Sequence, residues 1–312
     1  MLLPARSSAG VFKKKSVVMG TDLEMIVSST DEAKADKAFA SVENEMKRIE
    51  DEMSEWKEKT FVSAINNNAG IRAVSVPSDL FKVIWAAVTV SKLTDGAFDI
   101  TWASMRGVWD FSPGHERVPS ASEVKERLKL VDYRDIVLDE KKNTVFLKRK
   151  GMAIGLGAIA KGYAVDRATQ ILAKEGIKDS IVKAGGDMRV QGLDNGKPWE
   201  IGIKHPRKKE LLAKFGLTNV SVSTSGDYER FFIKDNVLYH HIIDPRTGFP
   251  ARASMSVTVL APDTMTSDAL STAVFVLGPD KGLELVDKLE GVEAIIVDAS
   301  GKMRISPGIS LK

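Results

Sequence analysis

Apolar residues between positions 31 and 53 recur at steps of three and four: Phe39, Val42, Met46, Ile49 and Met53. That spacing lines one face of a helix and reads as core packing. Ser29 and Glu32 stand where a capping box would start it. Ahead of it, residues 16–27 mix apolar and polar positions and break at Met19-Gly20-Thr21, the pattern of a strand pair or a bulged strand. The same reading predicts helices over 77–93, 120–130 and 158–174, and a hairpin over 136–148 turning at Lys141-Lys142-Asn143. Short strands follow near 180–192, 199–204, 219–224, 230–234, 237–243 and 255–260. Helices over 264–277 and 280–288 and a strand over 293–298 close the pattern. Helices and paired strands are interspersed without a regular βαβ series. The expected class is α+β, with mixed, mostly antiparallel sheets and packed helices in a single compact unit. Residues 1–15 are expected to be a flexible N-terminal segment, with Lys13 to Lys15 solvated ahead of the first strand, and residues 16–312 to form the domain.

Composition narrows this only slightly. A chain of 312 residues has ample length for a core. The net charge of +3 gives no argument for nucleic acid, and no such partner is expected. The apolar run around Val83 to Val88 is too short to span a bilayer. The absence of cysteine excludes disulfides, thiolate catalysis and Cys-based metal sites. Met1 to Gly10 carries no apolar signal core, which fits either a cytoplasmic protein or a chain whose signal has been removed.

Several runs could carry chemistry. Asp268, Ser271 and Thr272 fall at i, i+3 and i+4, so a helix puts one carboxylate and two hydroxyls on one face. An all-oxygen group suits a hard cation such as Mg²⁺, although a solvated face or an N-cap has the same pattern. Gly155 to Gly162 forms a glycine-rich turn opening a helix, either a phosphate cradle or a tight strand–helix turn. Gly155, Gly157 and Ala160 match the dinucleotide-binding fingerprint, with Glu175 at ribose distance, but no βαβ series surrounds them. Lys161 precedes its glycine and no hydroxyl follows, so the turn is not a Walker loop. Gly96 to Thr101 reads as a helix end and turn, or as a ligand-facing loop with one carboxylate. Gly185-Gly186-Asp187 suits a bulge or a close backbone approach. His240 and His241 fall on opposite faces of a strand, which argues against joint metal ligation and leaves one as a candidate general base. A triad of Ser225, His241 and Asp244 can be drawn, but no nucleophile elbow supports it.

Taken together these runs resemble the ApbE family of FAD:protein FMN transferases. The matching segments are Met19-Gly20-Thr21, Met53 to Trp56, Gly96 to Asp99, Gly157 to Asp166, Gly185 to Asp187, Thr224 to Tyr228, His241 to Gly248 and Ser267 to Thr272. They occur in family order over residues 16–300 or so. The resemblance implies an ApbE-type fold, FAD as FMN donor, and Mg²⁺. It further implies transfer of FMN to a threonine hydroxyl of an acceptor protein, with release of AMP. Acceptors would be flavoprotein subunits of membrane electron-transport complexes bearing a Ser/Thr-Gly-Ala-Ser/Thr-like motif, in a periplasmic or extracytoplasmic membrane-associated setting. Some members hydrolyse FAD to FMN and AMP instead, so a pyrophosphatase is an alternative; a flavin-binding protein without chemistry is another. Carried over by position, Asp268, Thr272, Ser271 and the Ala158 carbonyl would hold Mg²⁺. Met19, Trp56, Ala97, Phe98, Asp99, Lys161 and Ile242 would line the FAD site, and His241 would be the base. One position departs: where the family usually has an FAD-contacting acidic residue, this chain has Gly155.

Overall fold

In the computed structural model, residues 10–309 are described. The first strand, β1 (Gly10–Val18), already includes Lys13 to Lys15, so the charge run lies within the sheet and not ahead of it. Residues 1–9 of the expected N-terminal segment lie outside the described residues. β2 (Thr21–Ser29) leads into helix α1 (Glu32–Met53). Its cap is Asp31, whose carboxylate accepts from Lys34 N–H. The expected Ser29–Glu32 capping box is not formed; the Ser29 hydroxyl donates to Asp31 C=O and accepts from Asp31 N–H, shaping the turn before the helix. Then come α2 (Phe61–Asn67), β3 (Val74–Ser75), α3 (Ser78–Leu93), a 3-10 turn at Ile100–Met105, and α4 (Ala121–Leu128). It is α4 that carries a true capping box, between Ser120 and Glu123.

The hairpin β4 (Ile136–Asp139) and β5 (Thr144–Leu147) precedes α5 (Ala160–Lys174). Five strands and a further hairpin follow: β6 (Ser180–Ala184), β7 (Asp187–Gln191), β8 (Trp199–Lys204), β9 (Leu211–Leu217), β10 (Val220–Gly226), β11 (Phe231–Lys234) and β12 (Val237–His240). The chain closes with β13 (Ser254–Ala261), α6 (Thr264–Leu277), α7 (Pro279–Val286), β14 (Glu293–Asp298) and β15 (Met303–Ile305).

The main sheet has eight strands in the order β1-β2-β6-β7-β10-β13-β14-β15. Each of its ladders is antiparallel. This disposes of a dinucleotide-binding βαβ unit, and Glu175 instead pairs with Lys37 at 3.1 Å. The strand period of two sorts the sheet's apolar residues between two cores. Leu23, Met25 and Val27 of β2 and Val182 of β6 face the helices α1 and α5. Ile26, Ile181 and Val190 face the other way, against Trp199 and Ile201 of the β8–β9 hairpin. Helix α6 is buried along most of its length because it packs on β10 and β13 on one side and on α5 on another. No helix among the described residues is long and apolar enough to cross a membrane.

Candidate functional site

Four chain segments meet at one end of the sheet: the β1–β2 turn, the β6–β7 turn, the last residues of β10 and the first of β13. The registers Leu23↔Ala184, Ser223↔Asp187 and Gly226↔Ser256 bring them level. The β1–β2 turn is Met19-Gly20, with φ of 53° and 70°. Both residues left-handed make a type I′ hairpin turn, which suits Gly20 and strains Met19. Gly185, also left-handed at φ 61°, lets the β6–β7 turn approach Thr21. The turn delivers Asp187 at the first position of β7, almost fully buried.

The start of α5 reaches the same place. Lys161 Nζ lies 2.7 Å from Asp187 Oδ2 and 3.4 Å from each oxygen of Asp268. It also donates to Gly157 C=O at 3.1 Å. Burial alone would lower the Lys161 pKa, but the two carboxylates outweigh it and the net shift is upward. Asp268 is pushed up to about 7, first by burial and then by the charge of Asp187, against the opposing pull of Lys161.

Contact between α5 and α6 depends on Gly162. A Cβ there would lie 2.3 Å from Thr264 O and 2.8 Å from Asp268 Cβ. Only glycine permits the approach, and the result is a hydrogen bond from Gly162 N–H to Asp268 Oδ2 at 2.9 Å. Gly162 is the third residue of α5, so its N–H has no acceptor within the helix and Asp268 caps it. Ala158 lies ahead of the helix, and its carbonyl accepts from no main-chain N–H among the described residues. An unengaged main-chain carbonyl and a buried carboxylate at the start of α5 are donor types a hard cation takes, so Asp268 and Ala158 fit a Mg²⁺ site, with Lys161 the competing cation on Asp268.

The hydroxyls are arranged differently from the expectation. Ser221, Ser223 and Ser225, alternating along β10, pair with Thr264, Ser267 and Ser271 of α6 at 2.8, 2.7 and 2.9 Å. This ladder seats α6 on the sheet. Ser271 donates to Asp268 C=O as well, at 2.9 Å, so its hydroxyl is engaged within the fold. It sits on the expected face but acts there as a strut. Thr272, at 3.2 Å from Ser225 Oγ and only half-buried, has the freer oxygen. Among the described residues no cluster of three His, Asp or Glu could hold a metal. A cation here would rest on one carboxylate and neutral oxygens.

The two histidines separate, although only His240 lies in β12 and the strand period expected for both does not apply to His241. His240 is buried, with Nε2 2.7 Å from Ala251 O and Nδ1 accepting from Ile242 N–H at 3.3 Å. Its ring meets Phe275 edge-on at 5.5 Å. Both nitrogens are engaged, so the ring is neutral and structural, and burial lowers its pKa. His241 lies just past the end of β12, one residue beyond the ladder rather than within a strand reaching 243. Its Nδ1 is 3.3 Å from Arg230 O. Burial pushes the imidazole down to about 4, and positive charges including that of Lys161 contribute. His241 therefore shares an electrostatic neighbourhood with Lys161. The drawn triad is not assembled: Ser225 bonds Ser271 and Thr272, and Asp244 pairs with Arg246 at 2.8 Å.

The remaining expected flavin-lining residues are of three kinds. Trp56 is 72% exposed and available to a ligand. Ala97, Phe98 and Ile242 are buried, the first and last in one core cluster and Phe98 in another, so they offer a ligand mainly backbone. Asp99 is a support rather than a free carboxylate. Its Oδ1 accepts from Thr101 N–H and hydroxyl at 2.8 and 2.6 Å, and its Oδ2 from Tyr133 N–H at 2.8 Å. Burial raises its pKa to about 6.

Gly155 has a structural counterpart. Glu55 places Oε1 2.7 Å from where a Cβ of residue 155 would be, and Glu55 Oε2 accepts from Leu156 N–H at 2.7 Å. A carboxylate is present at the turn, delivered from another part of the chain. Asp187 and Glu55 are the two charged residues that sequence reasoning left without a role. The signal for Asp187 was its place directly after a double glycine; for Glu55 it was the missing side chain at 155.

Residues 19–296 match the model of the ApbE family. The chain belongs to the ApbE family. It is 33% identical over 290 residues to the FAD:protein FMN transferase of Klebsiella pneumoniae (strain 342), covering 92% of this chain and 89% of that protein. It is 32% identical to the protein of the same name from Treponema pallidum, over 97% and 89% of the two chains. Among solved structures, the ApbE protein of Thermotoga maritima superposes with a TM-score of 0.88 at 38% identity, covering 96% of this chain and 97% of the other. The ApbE fold expected from the motifs is the fold observed.

Proposed function

We propose that this ApbE protein transfers FMN from FAD to a hydroxyl of an acceptor protein and releases AMP. The reading is supported by relatives named for that activity and by the site at the α5–α6 contact. The observation that carries it is Lys161 held between Asp187 and Asp268 at the start of α5. That is an ammonium fixed beside a helix N-terminus; the two carboxylates compensate it in the free protein, and a cation taken up by Asp268 would turn it toward a transferring phosphoryl group.

The chain's own residues divide the work as follows. Trp56 and the Met19 turn present surfaces to the flavin, with backbone of Ala97, Phe98 and Ile242 behind them. Lys161 and the amides opening α5 stabilise charge on the FMN phosphate. His241, neutral in the free protein, takes the proton from an incoming threonine hydroxyl. The threonine oxygen bonds to the FMN phosphorus, the pyrophosphate bond to AMP breaks, and AMP leaves with that bond's electrons. Asp268, the Ala158 carbonyl and Thr272 would hold Mg²⁺, with Ser271 as their support. When bound, the ion supplies charge neutralisation for the pyrophosphate and leaving group.

The acceptors in this reading are flavoprotein subunits of membrane electron-transport complexes with a Ser/Thr-Gly-Ala-Ser/Thr-like motif, met in a periplasmic or extracytoplasmic setting. The test is AMP release from FAD and Mg²⁺ with a domain bearing that motif, beside its Thr→Val variant. Release that requires the threonine supports transfer. Equal release with either domain, or with none, replaces the reading by FAD hydrolysis.

A further inference from the structure

Glu55 carries one carboxylate and four contacts. Oε2 accepts from Leu156 N–H at 2.7 Å, Oε1 lies 3.0 Å from Arg106 Nη2, and its backbone carbonyl accepts from Arg106 Nη1 at 3.1 Å. Its side chain also fills the space that Gly155 leaves empty. Arg106 in turn lies over the indole of Trp56, with Cζ 4.6 Å from the ring centroid. Trp56 is otherwise exposed, at 72%, so this guanidinium is what holds an aromatic ring that would sample several rotamers in water. A buried carboxylate that faces one arginine and one main-chain N–H leaves that arginine little freedom.

We infer that Glu55, acting through Arg106, is a positioning residue that fixes the Trp56 indole and ties it to the Gly155-Leu156-Gly157 turn leading into α5. Three segments distant in sequence are joined by it: the end of α1, the 3-10 turn at Ile100–Met105, and the turn before α5. Placement of the aromatic surface and of the phosphate-facing turn is then one event. Glycine at 155 belongs to the device, because a methyl there would displace the Glu55 carboxyl. Its consequence for flavin binding rests on the reading of Trp56 as a flavin-lining residue.

The test has one arm in flavin-free protein and one in catalysis. The Trp56 signal is isolated as the difference between each protein and its Trp56→Phe counterpart. Glu55→Gln keeps an acceptor for Leu156 N–H but loses the ion pair to Arg106. In Glu55→Gln and Arg106→Gln, Trp56 emission anisotropy should fall and acrylamide quenching should rise; Arg106→Lys should restore part of both. The KM for FAD should rise about two- to fivefold, the scale of a partly exposed cation–π contact, with kcat changed less than twofold. Gly155→Ala should reproduce the Glu55→Gln behaviour. If Glu55→Gln melts well below the parent, Arg106→Gln carries the test, since its guanidinium is partly exposed. Unchanged Trp56 anisotropy in Arg106→Gln overturns the inference. Altered anisotropy with unchanged KM in every variant upholds the positioning and overturns instead the reading of Trp56 as flavin-lining.

Discussion

Gly162→Ala separates two forces of opposite sign. Within α5 alone, alanine is the better helix former by about 1 kcal/mol, so local propensity predicts a more stable protein. The tertiary contact predicts the reverse. The new methyl would sit 2.3 Å from Thr264 O, 2.7 Å from Thr264 C and 2.8 Å from Asp268 Cβ. Two of those are backbone atoms of α6, which cannot rotate away. Cβ contacts below 3.0 Å are essentially never seen, so α5 and α6 must part by at least 0.7 Å along the shortest of them. Overpacking of this kind costs about 1–3 kcal/mol. After the helix gain, the net is a loss of up to about 2 kcal/mol, or a Tm lower by up to about 3 °C. The larger effect falls on chemistry, because the displaced bond is the one from Gly162 N–H to Asp268. A shift approaching 1 Å in a positioned group costs about 100-fold in rate. The assays are calorimetric Tm and Mg²⁺-dependent AMP release with saturating FAD and acceptor. A raised Tm together with undiminished release would refute the account of the α5–α6 contact.

The remaining expectations concern the same end of the sheet. Asp268→Asn should remove Mg²⁺-dependent turnover while FAD still binds, as followed by metal titration of AMP release. Lys161→Ala should lower kcat by about 100-fold, the scale of losing one preorganised charge-stabilising donor, and Asp187→Asn should lower it less because Asp187 only holds the lysine. His241 has its pKa pushed down to about 4, so in the free enzyme the neutral base predominates at every pH above that and is lost as pH falls through 4. The acid limb of kcat/KM should therefore lie well below the ordinary histidine range near 6.5 and vanish in His241→Ala; a limb near 6.5 that persists in that variant contradicts the assignment. Ser267→Ala strands the buried Ser223 hydroxyl and should cost about 1–3 kcal/mol in denaturant unfolding, whereas Ser223→Ala/Ser267→Ala should cost less than the two single losses added.

Much of the fold was legible because its periodicities are strong. The Phe39-to-Met53 stripe is wholly buried in α1, and the long helices over 77–93, 158–174 and 264–277 appear within two residues of their expected bounds. What escaped was short or lacked a period. β9 buries only Phe215 and is too exposed to announce itself, and α2 has only seven residues. Ser29 and Asp31 compete for the same cap, and sequence spacing alone cannot say which oxygen reaches the N–H groups. In the site, the helix face of Asp268 and Thr272 was visible because helical spacing is local. The roles of Asp187 and Glu55 were not, since each acts on a residue of another segment: Asp187 on Lys161, and Glu55 on Leu156, more than a hundred residues away. The hydroxyl ladder hid for the same reason. Its two halves, alternate residues of β10 and successive turns of α6, look separately like ordinary polar positions.

The most direct measurement is the intact mass of an acceptor domain bearing the Ser/Thr-Gly-Ala-Thr motif after incubation with this protein, FAD and Mg²⁺. A gain of one FMN unit on the motif threonine is expected, absent with chelator and absent with Asp268→Asn. An unmodified acceptor in the presence of metal-dependent AMP release would contradict it.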